Sequence, residues 1–235
     1  MVVAEGLGAP GQAPYTIADA SGDYIIYNVP DGTATVRGYR SELELEPVEV
    51  EVAGEAVTDV HLEATGEGVE GLGSVSGSVN IVNAPGDSAT SVVLVPVSVF
   101  NEALERGPVP FGLRAPAPPE APSVTSGFEI PGVPAGDYKV LAAFENDDLV
   151  RDPDDSIAGT AIQEISLGSG ETVDVPEAFK VTEHIAVISP GADEPEIVDP
   201  IPTLIWADDS SETHYSVIVF DALGNVMWEL SLIHI

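Results

Sequence analysis

Residues 22–36, GDYIIYNVPDGTATV, return about a hundred positions later as GFEIPGVPAGDYKV at residues 127–140, so one structural unit is present twice. In each copy an aromatic (Tyr24, Phe128) and an isoleucine two positions on (Ile26, Ile130) alternate with period two, as in a half-buried strand. Val-Pro-x-Gly follows in both and leads into a second alternating run. Pro30 and Pro134 preset φ for a turn, and Gly32 and Gly136 can take positive φ. The pattern predicts a hairpin in each copy, with one face of every strand in a core.

Around this repeat the chain reads as strands separated by turns. MVVAEGL enters as a strand, DASGD turns between two more, and LELEPVEVEV alternates with a single shift at Pro47, as an edge strand with a bulge does. The glycine-rich residues 66–74 form a linker. SVSGSVNIV and VVLVPVSVF open the second copy, before a proline-rich excursion at residues 107–122 predicted as a stiff, polyproline-like surface loop. Pro30 aligns with Pro134 at an offset of 104, whereas the closing turn at Gly54 aligns with Gly170 at 116. Twelve residues have therefore entered the second copy, and the acidic ENDDLVRDPDDS, residues 145–156, has that length. Beyond Ala186 three short strands are predicted, with Trp206 as a core residue and a turn at Gly224 and Asn225.

Abundant Val, Ile and Thr, with 23 glycines and 20 prolines, favour an all-β fold. Forty acidic residues against seven basic ones, a net charge of −33, exclude nucleic acid and anionic lipid as partners, because both demand clustered cations. The absence of cysteine excludes disulfides, thiolate metal sites and a cysteine nucleophile. No apolar run reaches the roughly 18 residues of a membrane helix, and no signal peptide is recognisable.

DASGDYIIYNVPDGTATVRGY and SGFEIPGVPAGDYKVLAAF resemble the hallmark of carboxypeptidase regulatory-like domains, transthyretin-like β-sandwiches related to carbohydrate-binding-like folds. The first copy departs from the pattern in lacking its tyrosine at residues 33–35, and the second in having Thr125 and Ser126 where an Asp-containing turn is usual. The resemblance implies tandem transthyretin-like or Ig-like sandwiches joined by short linkers: residues 1–65, lacking their first strand, and residues 74–182. Residues 186–235 resemble the first half of a fibronectin type III-like domain. In this family the module is a non-catalytic attachment, which implies a structural or spacer role in a bacterial secreted or cell-envelope protein. The alternatives are a carbohydrate- or protein-binding accessory module, or an accessory part of an enzyme whose catalytic domain lies elsewhere. A glycan or an envelope protein is the implied partner, and a monomer is expected unless the open edge of the first domain pairs. Both ends are expected to be cut, with SLIHI, residues 231–235, resembling translated adapter sequence outside the fold.

No catalytic pattern is present, and no enzyme is expected. His61, His184, His214 and His234 each lack a glutamate three positions on, so the H-x-x-E zinc motif is missing, as are G-x-S-x-G and the phosphate loop. No cofactor is expected, with one qualification. Asp147, Asp148, Asp152, Asp154 and Asp155 crowd like charges onto the inserted loop, and their oxygens are the calcium candidate. Asp19, Ser21 and Asp23 form a weaker one, for which a hairpin turn is the simpler reading.

Overall fold

The computed structural model describes residues 1–66, 68–82, 90–143, 149–151, 161–183, 185–207, 214–222 and 225–233. The chain forms two compact units, Met1–Glu183 and His184–Ile235. The described residues contain strands and one 3-10 turn, Val97–Val99, and no α-helix.

In the first copy, β1 (Val2–Glu5), β2 (Tyr15–Thr16), β3 (Gly32–Gly38) and β4 (Val48–Val52) form an antiparallel sheet ordered β2-β1-β3-β4. One face is dry, since β3 buries Ala34 and Val36, opposite Val50 and Val48 of β4. Glu49 and Glu51 point to water from the edge strand, where charge discourages pairing with another chain.

The second copy contains β5 (Gly73–Val82), β6 (Ser91–Pro96), β7 (Arg114–Ala115), β8 (Gly127–Val133), β9 (Gly136–Ala143), β10 (Leu149–Arg151), β11 (Gln163–Leu167), β12 (Thr172–Asp174) and β13 (Phe179–Glu183). One sheet, β7-β6-β9-β11, repeats the order and antiparallel directions of β2-β1-β3-β4. The facing sheet is assembled on β5, which pairs antiparallel with β8 and parallel with β12 and β13; β10 then flanks β13. Val75, Phe128, Ile130, Val133, Phe179 and Val181 from this sheet close over Leu94, Tyr138, Val140 and Leu167 from the other, all buried.

The predicted hairpin is not one. β8 and β9 lie in different sheets, so Val133–Gly136 is a corner that carries the chain across the sandwich. Hairpin and corner share one alternation, because either arrangement turns Phe128, Ile130, Tyr138 and Val140 into a core. A corner needs no primed turn, and Gly136 accordingly does not have positive φ, whereas Gly32 has φ +133°. Tyr138 seals the corner, its hydroxyl donating to the Pro134 carbonyl at 2.8 Å with both groups buried. In the first copy the position of Tyr138 is held by Ala34, and residues 24–29, expected as a strand, form none.

Two further expectations change. The proline-rich excursion is not merely a surface loop: Leu113 and Ala115 are buried, β7 pairs with β6, and Arg114 donates to Ser91. The inserted acidic stretch supplies the short strand β10, while Asp147, Asp148, Asp152, Asp154 and Asp155 lie outside the described residues.

The second unit contains two antiparallel ribbons, β14 (Val187–Ser189) with β15 (Ile205–Trp206), and β16 (His214–Phe220) with β17 (Val226–Ile233). The Asp221 carboxylate closes the second ribbon by accepting from the Asn225 backbone and side-chain amides at 2.9 and 2.8 Å. Trp206 meets Tyr215 with ring centroids 5.9 Å apart and stays half-buried, not in the core expected for it. None of the unit's described residues is fully buried. Ser231, Leu232 and Ile233 continue the β17 ladder opposite Ser216, Tyr215 and His214, where the pattern was expected to have stopped.

Tyr138→Phe should cost about 1–3 kcal/mol, since it strands the buried Pro134 carbonyl. Gly32→Ala should lower the urea midpoint more than Gly136→Ala, by the roughly 1–3 kcal/mol of a strained backbone residue. Equal midpoints for the two alanine variants would show that Gly32 does not need its positive φ.

Candidate binding groove in the first copy

Where the second copy has its β5 sheet, the first has no ladder. Residues 24–29 are the counterparts of 128–133, and Asp59-Val60 matches Asp174-Val175 of the closing segment. Their inward phase is kept, with Tyr24, Ile26, Val29 and Val60 half-buried where Phe128, Ile130, Val133 and Val175 are buried. Cover is what they lack. Among the described residues, neither 25–29 nor 56–62 makes a backbone-to-backbone hydrogen bond. One contact ties the two segments, the Tyr24 hydroxyl donating to the Val60 carbonyl at 2.8 Å. Burial pushes the Tyr24 phenol above its usual range.

A cavity of about 680 Å³ adjoins these segments at Tyr24 and Val60, a size typical of ligand sites. Its walls are mainly apolar, from Ile17, Tyr24, Leu43, Leu45, Val60 and Leu62, with Arg40, His61, Asp19 and Ser21 among the polar groups. Arg40 sits over the Phe111 ring, 5.6 Å from its centroid. No nucleophile is paired with a base in this lining. The arrangement suits burial of an apolar ligand, with backbone groups along two walls available to bond it.

Asp19 shapes one end of the groove. Its carboxylate accepts from the Ser21 and Asp23 amides at 2.8 and 3.1 Å, and Gly22 takes φ +89°. These bonds are those of an Asx-type turn, and they engage Oδ1 of Asp19, one of the three residues, Asp19, Ser21 and Asp23, of the weaker calcium candidate. Among the described residues no group of three or more His, Asp or Glu side chains is placed to hold a metal. Of the turn residues, Pro30 and Gly32 lead from the groove wall into β3, and Pro134 and Gly136 form the corner facing the first copy.

The first copy grips that corner. Glu44 accepts the Ala135 N–H at 3.1 Å, Arg37 donates to the Ala135 carbonyl at 3.4 Å, and the Glu42 amide donates to the Gly132 carbonyl at 2.8 Å. Tyr39 packs edge-on against Tyr138 at 5.9 Å and donates to Glu5 at 2.6 Å; Glu5 also accepts from Ser98 at 2.7 Å and pairs with Arg37 at 3.4 Å. Burial, reinforced by Glu5 at Tyr39 and by Glu44 at Tyr138, drives both phenols far above their ordinary value of 10. Only the unfolded chain then ionises there as pH passes 10, so this stabilisation is complete below that value and is lost above it.

Neither the groove nor the joint corresponds to a motif in the sequence. The available signal was Ile25 and Tyr27, large apolar residues at the outward phase, which are 64% and 72% exposed.

No family model matches the chain, and no curated protein does. Among solved structures the chain is similar to GBS52, the minor pilin of the Gram-positive pathogen Streptococcus agalactiae, at 12% identity. The alignment covers 74% of this chain and 66% of the pilin with a TM-score of 0.31, a superposition too loose to define a shared topology. The described fold is all-β, with sandwich architecture. No helix among the described residues is long and apolar enough to cross a membrane.

Desolvation raises the Glu44 carboxyl pKa, against the pull of the Ala135 amide and Arg37. The folded state therefore holds this proton more tightly than the unfolded chain. Ionised Glu44 opposes folding at neutral pH, and the opposition fades as pH falls through the folded pKa towards the unfolded one. Relative to wild type, Glu44→Gln should gain stability between about pH 3.5 and about pH 7. Urea titrations at the two pH values check this, and a relative loss at the higher one would contradict it.

Proposed function

We propose that the chain is a non-catalytic structural or spacer module of a bacterial secreted or cell-envelope protein. On this reading its first 182 residues are two carboxypeptidase regulatory-like repeats, the first lacking a strand, and its remainder is a fibronectin type III-like segment. The observation that carries the reading is the joint. Spacers must fix the separation of what they connect, and here backbone and side-chain bonds from residues 37–44 engage residues 131–135 of the neighbouring copy. The net charge of −33 adds self-repulsion, which keeps such a module soluble and extended from its neighbours. The module needs no cofactor, and calcium at the acidic loop is not required for the joint.

A chain without cysteine can be spin-labelled at will. With labels at Glu51→Cys and Glu129→Cys, one on each copy, the distance distribution should be narrow, and adding Tyr39→Ala should broaden it. A broad distribution in the parent would remove the joint as the basis of a spacer. Protease treatment of intact cells tests the location separately, since an envelope protein is digested and an interior one survives.

A further inference from the structure

The internal repeat specifies what the groove of the first copy is shaped to receive. In the second copy β5 runs antiparallel to β8 and parallel to β12 and β13, and it supplies Val75 and Val79 to the core. In the first copy both flanking segments are present with their inward side chains in phase, without backbone-to-backbone bonds at residues 25–29 and 56–62 among the described residues, the Val60 carbonyl accepting only from the Tyr24 side chain, and the cavity is lined by Tyr24 on one side and Val60 and Leu62 on the other. Among the described residues no strand lies between them.

We propose that this groove is a strand-acceptor site, which binds an extended segment of β5-like pattern from a partner polypeptide. The strand would add antiparallel to residues 24–29 and parallel to residues 57–62, so that main-chain bonds provide affinity and alternate side chains provide specificity. The proposal rests on the repeat and the groove alone, and it stands whether or not the module is a spacer.

The register also fixes a selectivity rule. In the second copy Val75 lies opposite Ile130 and Gly77 opposite Phe128. A Cβ at position 77 would come within 2.7 Å of the Phe128 ring, so only glycine fits there. Translated to the first copy, the incoming strand places an apolar residue opposite Ile26 and, two residues on, a small one opposite Tyr24. The bound segment therefore reads apolar-x-small-x-apolar, as Val75, Gly77 and Val79 do.

The probe is a fluorescein-labelled peptide of the β5 sequence, GSVSGSVNIV, added to the full chain and followed by anisotropy and by amide hydrogen exchange. Saturable one-to-one binding is expected, with exchange slowed at residues 24–29 and 56–62. A peptide carrying Gly77→Leu should bind at least about tenfold more weakly, and a scrambled peptide not at all. Ile26→Asp in the protein should abolish binding while the second copy stays folded. If that variant fails to fold, the leucine peptide still decides the matter. No saturation up to about 1 mM peptide, equal affinity for the leucine peptide, or protection confined to the β4 edge would overturn the proposal. So would a dimer in ultracentrifugation whose 24–29 amides are already protected without peptide, because a second copy would then be the occupant.

Discussion

Two buried tyrosine hydroxyls hold the first unit in its shape. A phenol repays burial only when its O–H keeps an acceptor, and the rings of Tyr39 and Tyr138 meet edge to face while each finds one close by. The Tyr138 bond to Pro134 fixes the direction in which the chain leaves one sheet for the other. The Tyr39 bond to Glu5 draws Arg37 and Ser98 into the same network. Corner and joint thus meet at one aromatic contact, beside which the bonds of Arg37, Ser41, Glu42 and Glu44 to residues 131–135 also orient the two copies.

The two copies share one sheet and differ in what faces it. β2-β1-β3-β4 and β7-β6-β9-β11 are four strands in the same order, so that layer recurs although the repeated sequence spans only most of β3 and of β9 within it. The facing layer depends on β5, to which β8, β12 and β13 all attach. Without a counterpart of β5, residues of equivalent pattern in the first copy keep their inward phase but form no ladder. Alternation alone is insufficient to make a strand; a partner with free donors and acceptors on the adjoining edge is also required.

Much of this was legible in the residues. Val48, Val50 and Val52 read as a one-faced strand because water wets the other face. The corner was not legible, because alternation records which side chains are buried and not which sheet takes each strand. Nor was the burial of Leu113 and Ala115, since proline-rich composition conveys stiffness and says nothing of what the intervening side chains touch. Ser231–Ile233 were expected to leave the β pattern, yet their backbone continues the β17 ladder, and Leu232 and Ile233 are residues of types common in strands. The groove left only an indirect trace in Ile25 and Tyr27, for its walls come from segments some thirty residues apart that meet only in three dimensions.

The parallel pairing of β5 with β13 determines how the second copy bears load. β5 opens this copy and β13 ends it, and the two run side by side in the same direction from Val79↔Phe179 to Val82↔Thr182. Tension applied to the two ends of the copy therefore pulls these strands past one another along their length. The bonds between them are strained together, in shear, and cannot be opened one after another like a zip. A module whose first and last strands lie parallel resists stretching through its whole ladder at once.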